Sequence, residues 1–302
     1  MPTVIKRDRV FFAFSPDLQP IVRVRQGEEF VMETHDCFEG QIQTESDLVE
    51  SLDWDHVNPA TGPIYIEGAK PGDVLRVDLL QIDIADRATM VTLPGEGVLG
   101  DVITEMETSI LDMRGGKVIF KNKVEIPIRP MIGVIGVAPA EGSVPNGTPG
   151  SHGGNMDCTL IGQGASIYFT VGADGALFGC GDMHAVMGDG EIVICGAETG
   201  GQVRLKAQVV PLPGLPTPFI ETDSLVATVA SAETADQAGE DATHAMARFL
   251  TDFAGMPLND AGMLMSLVGS LKFCQVVDPE KTVRFEFPKS VLKDYGYELP
   301  VS

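Results

Sequence analysis

The chain has 302 residues and carries 43 acidic against 21 basic side chains, a formal net charge of −22. That surplus opposes binding to nucleic-acid phosphates or to an anionic membrane and directs attention to a neutral or cationic small molecule. With 44% hydrophobic residues the composition is globular, and the length allows two or three closely packed subdomains.

The first residues, MPTVIKRDRVFFAFSP, lack a long apolar core and a small-residue cleavage pattern, so no secretory leader is expected. Nowhere does a run of about 18 uncharged apolar residues offer a membrane span. Cys37, Cys158, Cys180, Cys195 and Cys274 are scattered without metal-finger spacing, which suggests free thiols in a reducing cytoplasm.

Val10, Phe12, Phe14, Ile21, Val22, Val24, Phe30 and Met32 alternate around Gly27 and predict antiparallel strands. The run ends in Glu33-Thr34-His35-Asp36, where a strand end would deliver Asp36 or His35 to a site. Asp36 is the preferred ligand, because a carboxylate is already charged at neutral pH. Residues 44–56 are polar, acidic and expected to be mobile, and they hold the single Trp54. Asn58-Pro59-Ala60-Thr61-Gly62-Pro63 reads as a rigid turn before a strand at Ile64–Glu67, and Lys70–Asp73 as a second turn leading into a strand over Val74–Ile84. Trp54 and Tyr65 are candidates for a pocket wall, although aromatic residues of β proteins ordinarily fill the core. Residues 87–128 suggest short strands among glycine-rich loops, and Met131–Ala138 a strand buried on both faces.

Farther on, Gln202–Val210 predicts a strand, and the proline-rich stretch 211–218 marks a boundary between a body at 1–210 and an α+β part at 211–302. Ala242, Ala245, Met246, Phe249, Leu250 and Phe253 recur at helical spacing between about Thr234 and Ala254. Asp260 is the expected cap of a second helix through Met263, Leu264, Leu267 and Val268. Strands at Leu271–Val277 and Thr282–Phe287 flank Asp278-Pro279-Glu280. Strands first and helices afterwards argue against a doubly wound fold and for a mainly β, β-rich α+β chain with a C-terminal helical pair.

The densest chemistry lies between His152 and Glu198, where His152, Asn155, Asp157, Asp182, His184, Asp189, Glu191 and Glu198 stand among glycine turns. Ala165–Val171 and Glu191–Cys195 are rich in β-branched and aromatic residues and read as strands. In an extended Gly181-Asp182-Met183-His184, the aspartate and histidine share a side and could chelate one cation. Imidazole with carboxylates suits zinc or a similar divalent ion, which acidifies bound water, while a carboxylate such as Glu191 could shuttle the proton. Any single Asp or Asn beside glycine is equally an ordinary turn former. HExxH, paired CxxC, GxGxxG before a helix, GxxxxGK[ST] and GxSxG are all absent, which removes support for nucleotide binding and for an α/β-hydrolase nucleophile.

HGGNMD at His152–Asp157, GALFGCGDMHAVMGDGE at Gly175–Glu191 and the GAE ending at Glu198 resemble the signature of the acetamidase/formamidase family. Similarity extends to HDCFEGQI at His35–Ile42, NPATGPIYIEGAKPGDVLRVDLLQI at Asn58–Ile82, RPMIGVIGVAP at Arg129–Pro139 and SLVGSLKFCQVVDP at Ser266–Pro279. The resemblance implies hydrolysis of short linear aliphatic amides such as formamide and acetamide by a metal-dependent homodimer or higher homo-oligomer. It also implies a sandwich or jelly-roll-like body with a barrel-like part. The positions that match its motifs are Asp36, His152, Asn155, Asp157, Asp182, His184, Asp189, Glu191 and Glu198, and the donor chemistry reads as a divalent metal, zinc first with calcium or manganese as alternatives, held by Asp36, His184 and Glu198, with His152 and Asp157 as further ligands or as supports behind them. Glu191 or Asp182 would transfer the proton, and Asn155 would hold the substrate amide or orient a ligand. Two rival expectations stand beside it: a metal-independent thiol amidase using Cys37 or Cys158, and a non-catalytic β-sandwich stabilised by a structural cation.

Overall fold

A computed structural model describes residues 2–299. Its longest ladder joins Val74–Ile84 to Gly201–Val210 in antiparallel register, from Val74 opposite Val210 to Ile84 opposite Gly201. Alternation explains the pairing: Val203, Leu205 and Ala207 are fully buried while the residues between them face outward. Around this pair grows a nine-stranded sheet, in the order Thr3–Ile5, Glu29–Thr34, Gly201–Val210, Val74–Ile84, Ser166–Thr170, Phe219–Glu221, Leu225–Ala232, Lys281–Pro288 and Ser270–Gln275.

A second sheet has Phe178–His184 at its centre, paired with Met131–Gly136, Ala60–Ile66 and Glu198–Thr199. The two sheets face one another over a common core: Leu75, Val77, Val203 and Leu205 of the first meet Ile132, Ile135, Phe178 and Cys180 of the second. The expected mainly β sandwich is thus present, and among the described residues neither sheet closes into a barrel. Met131–Gly136 is buried at every position, as its uninterrupted apolar character requires.

The C-terminal part is built onto the body through a shared sheet, since Ser166–Thr170 pairs directly with Phe219–Glu221 across the proline-rich segment. The helices Ala235–Asp252 and Leu258–Val268 cover this end. Thr234 caps the first helix by accepting from the Gln237 amide at 3.3 Å. Its Ala242, Met246, Phe249 and Leu250 join Phe219, Tyr168 and Phe287 in a second core. Each fully buried side chain of the size of Phe249 contributes roughly 1.5–3 kcal/mol of hydrophobic stabilisation.

Four local expectations are revised. The strand expected from Ile64 begins at Ala60, and the Pro63 that suggested a turn sits where the ladder to Phe178–His184 shifts register, so its missing N–H interrupts no regular pairing. Glu191–Cys195 is a loop: Glu191 and Ile194 have φ of 48° and 86°, and tertiary hydrogen bonds such as Val98 N–H to Ile192 O override the β-branched preference. Asp260 lies inside the first turn of a helix that starts at Leu258 after Pro257, so it complements the helix dipole without capping it. Residues 44–56 contain short 3-10 turns at Val49–Ser51 and Trp54–His56, and a third α-helix, Lys289–Asp294, follows the last strand. All five cysteines are unbonded and buried, and no helix among the described residues is long and apolar enough to cross a membrane.

Candidate active site

The register of the second sheet assembles the site. His184 stands directly opposite Glu198, so the two side chains project from the same face. Asp182, two residues earlier on the same strand, joins them, as its spacing predicts. Asp157 follows the short strand Gly153–Asn155, which pairs with Val134–Gly136 on the other side of Met131–Gly136. Glu191 arrives from the irregular loop after Gly190, whose backbone is bridged to the C-terminal part by Gly190 N–H to Cys274 O at 2.8 Å and Val276 N–H to Gly190 O at 3.2 Å.

The result is a knot of charge around one imidazole. His184 Nε2 lies 3.1 Å from Glu198 Oε1, 3.5 Å from Asp182 Oδ1, 3.7 Å from Asp157 Oδ1 and 4.0 Å from Glu191 Oε1. All five side chains are buried. Asp157, Asp182 and Glu191 have positive φ, at 43°, 54° and 48°. Such strained backbone in non-glycine residues persists where surrounding structure imposes it, characteristically at functional sites.

Two glycines make room. A Cβ on Gly133 would lie 2.3 Å from both Asp157 Oδ1 and Asp182 Oδ2, and one on Gly196 would lie 2.6 Å from His184 Nδ1.

Most of these donors have no partner. Both oxygens of Asp157, Asp182 Oδ1, Glu191 Oε2, Glu198 Oε2 and both His184 nitrogens are buried without a hydrogen bond. Buried polar groups are otherwise almost always paired, and an unpaired charge is costlier still. Burial, followed by the neighbouring Asp182 carboxylate, pushes Asp157 well above the ordinary carboxylate range. Burial and then Asp157 do the same to Glu191. Burial raises Glu198 to about 7 against the opposing pull of His184. Burial opposes a charge on His184, yet Glu198 and Asp182 hold its proton affinity well above the usual imidazole value. A divalent cation among these atoms would reverse the like-charge repulsion, and imidazole nitrogen with carboxylate oxygen is a fitting donor set for one.

Beside the knot lies a cavity of about 180 Å³, lined by Asn155, Asp182, Glu191, Glu198 and Asp278 on its polar side and by Cys37, Phe38, Trp54, Val91 and Leu93 among its less polar walls. Asn155 Nδ2 donates to Asp278 Oδ2 at 2.9 Å, while Asn155 Oδ1 is buried and unpartnered. Of the two aromatic candidates Trp54 reaches this cavity; Tyr65 instead lies beneath the Arg23 guanidinium, 4.0 Å from its ring centroid.

Not every expected residue joins. Asp36 Oδ1 accepts the amides of Phe38 and Gly40 at 3.0 and 3.1 Å, so this carboxylate shapes a turn, and it is the adjacent Cys37 that faces the cavity. His152 packs edge-on against Phe14, with ring centroids 5.2 Å apart, and burial lowers its pKa to about 4. It makes no ion pair with the carboxylate knot among the described residues. Asp189 is gripped by Arg284 through bonds of 2.9 and 2.7 Å, which fastens the Glu191 loop to the C-terminal part. Cys158 is buried with Cys274 in the main core, away from the cavity.

Sequence reasoning took Asp278 for a plain turn residue. Its turn is locked by the buried Gln275, whose Oε1 accepts from Val277 N and Asp278 N at 2.9 and 3.0 Å. The available signal was its place in the family-like stretch SLVGSLKFCQVVDP.

Comparison with known proteins agrees with this architecture. The Acetamidase/Formamidase family model matches residues 3–146 and 143–251. The chain is 26% identical to the formamidase of Methylophilus methylotrophus over 282 residues, covering 70% of this chain and 69% of that protein. A crystal structure of acetamidase from Bacillus halodurans superposes with a TM-score of 0.96 at 40% identity, over 97% of this chain and 100% of that one. A recombinant predicted acetamidase/formamidase from Thermoanaerobacter tengcongensis gives 0.96 at 45% identity over 99% of both chains. The fold, the matched residues and the names of these relatives agree: the chain belongs to the acetamidase/formamidase family of amide carbon–nitrogen hydrolases.

Proposed function

We propose that this chain hydrolyses short linear aliphatic amides to a carboxylate and ammonia, with His184, Asp157, Asp182 and Glu198 providing the donors for a divalent cation and Glu191 the proton. One observation carries the reading: buried, unpartnered nitrogen and carboxylate oxygen atoms converge beside a small cavity. The cation would supply Lewis acidity and acidify water near neutral pH. The His184 nitrogen favours zinc over calcium, an ion that prefers oxygen donors alone.

The protein's own groups bind and move protons. Asn155 Oδ1 is free to accept an N–H of the amide, because Asp278 holds the Asn155 side chain by its other end. Glu191 lines the same cavity and is held above the ordinary carboxylate range by burial and by Asp157, so it can carry a proton to the leaving nitrogen. The cavity volume, about 180 Å³, lies below the roughly 300–1,000 Å³ of drug-sized ligand sites and suits a substrate of a few heavy atoms.

A thiol mechanism fits less well. Burial, then Glu198, Asp182 and Asp36, push the Cys37 thiol well above its usual range, the opposite of what a nucleophilic cysteine requires. A cytoplasmic location is supported by five buried free cysteines. A homo-oligomer is supported by the exposure of Leu267 at 77% and of Leu271 and Phe273 on the last strand of the nine-stranded sheet.

Ammonia release from formamide and acetamide, measured before and after chelation and after return of zinc, manganese or calcium, tests the reading. Activity lost to the chelator and restored by one ion is expected; activity indifferent to complete metal removal would overturn it. Glu191→Gln is expected to lower kcat by about 10²–10⁴-fold while keeping fold and bound metal. Full activity in that variant would remove Glu191 from proton transfer.

A further inference from the structure

We infer that Asp278 recognises the leaving nitrogen: with Asn155 it offers two acceptors to the two N–H bonds of an unsubstituted amide, and it holds the ammonium that departs. The inference rests on the amide-hydrolase reading above and adds the residue that selects the leaving group.

The place of Asp278 follows from its hairpin. Gln275 ends the strand Ser270–Gln275 and is fully buried. Its Oε1 accepts from Val277 N and Asp278 N at 2.9 and 3.0 Å, and its Nε2 donates to Glu280 O at 2.6 Å and to Thr282 Oγ1 at 3.1 Å. Lys281 Nζ donates to the Asp278 carbonyl oxygen. The same turn is tied to the Glu191 loop by Val276 N–H to Gly190 O at 3.2 Å. Asp278 and the proton carrier Glu191 therefore belong to one braced unit, and both line the cavity.

The Asp278 carboxylate is not consumed by the fold. Among the described residues it takes one hydrogen bond, from Asn155 Nδ2 to Oδ2 at 2.9 Å, and forms no ion pair. That bond turns the Asn155 amide so that its Oδ1 stays buried and unpartnered beside the carboxylate. The other charged residues of the cavity wall, Asp182, Glu191 and Glu198, are acidic as well. Burial, followed by the nearby Glu191, makes an ionised Asp278 costly, and N–H donors brought by a ligand offset that cost.

A primary amide brings two such donors on one atom. An N-methyl amide brings one and an ester none, so each would leave an acceptor unpaired in the cavity, which is the strong form of discrimination. In the reaction the water oxygen bonds to the carbonyl carbon. As the carbon–nitrogen bond breaks, the nitrogen keeps the electron pair and takes a proton from Glu191, which regains one from the water. Amide and water thus give carboxylate and ammonium, and ammonium meets Asp278 with charge added to its N–H bonds.

The test compares acetamide with methyl acetate, which has the same acyl group and no N–H, on the full chain as isolated. Asp278→Asn keeps the side-chain size and an oxygen for Asn155 Nδ2 but puts an NH2 group in place of the second acceptor. Its kcat/KM for acetamide is expected to fall about 10–10²-fold further than its kcat/KM for methyl acetate, the worth of one hydrogen bond to a charged group. The unaltered protein supplies a check that needs no variant. Ammonium is expected to inhibit competitively against acetamide, and potassium, a cation of similar size without N–H bonds, to leave the rate unchanged. Equal losses on both substrates would make Asp278 a mere support for Asn155, and no loss, or equal inhibition by both cations, would remove the recognition; each overturns the inference while amide hydrolysis stands. An unaltered chain that hydrolyses no acetamide with any metal returned would overturn the underlying reading instead.

Discussion

Replacing Gly133 by alanine perturbs the site through geometry alone. The new methyl carbon would lie 2.3 Å from Asp157 Oδ1 and 2.3 Å from Asp182 Oδ2, where ordinary contact begins near 3.4 Å. Each carboxylate must retreat by about 1 Å, or the strand Met131–Gly136 must move by as much; that strand is buried at every position and has little freedom to do so. Overpacking of this kind costs about 1–3 kcal/mol of stability, whereas a displacement of about 1 Å in a catalytic constellation costs on the order of 10²-fold in rate. Gly133→Ala is therefore expected to remain folded, with a modestly lower urea midpoint, and to lose about 10²-fold in kcat for acetamide together with much of its bound metal. Gly262→Ala is the control: it lies in the helix Leu258–Val268 with nothing within 4 Å of the added carbon. It is expected to keep its activity and to gain up to about 1 kcal/mol of stability. A Gly133→Ala enzyme with parental kcat and metal content would refute the assignment of Asp157 and Asp182 to the reacting centre.

Two further perturbations probe the surroundings. Arg284 is 2% exposed and joins Asp189 to Glu286. Loss of one partner from a buried ion pair costs about 3–5 kcal/mol, and because the Asp189 side chain is 37% exposed the lower end applies to Arg284→Met. Activity should fall with it as the Glu191 loop comes loose; an unchanged urea midpoint would contradict this anchoring role. Burial depresses His152 from 6.5 to about 4, so the folded chain binds fewer protons here than the unfolded chain. Its contribution to stability is intact above 6.5 and is lost as pH falls from 6.5 towards 4, up to about 3 kcal/mol in all. His152→Gln should flatten that part of the stability profile, and parallel profiles for parent and variant would show that His152 does not titrate as its burial demands.

Much of this was legible in the residues. Alternation in Gln202–Val210 is the physical requirement of a sheet with one face buried, and the helical spacing from Ala242 to Phe253 is that of a helix with one face buried. Asp182 and His184 fall together at the two-residue spacing expected of a strand, although Asp182 itself, at φ 54°, leaves the extended backbone that the spacing assumes. Glu191–Cys195 misled for the opposite reason: its β-branched residues carry a local preference, but the loop's hydrogen bonds to Val98, Cys274 and Val276 come from far along the chain. Asp36 was ambiguous because a carboxylate can serve a turn or a metal with equal chemistry, and what the fold adds is that its Oδ1 accepts the Phe38 and Gly40 amides.

By itself the sequence determined the β-rich class, the C-terminal helices, the family and the neighbourhood of the chemistry, because periodicity, turn residues and long motifs are local properties. The tertiary structure decided which donors meet. Glu198 meets His184 through the pairing of neighbouring strands, whereas Cys37 follows a strand paired from Thr34 to Gly201 across most of the chain and Asp278 comes from the last hairpin, so the three converge only when the sheets have formed.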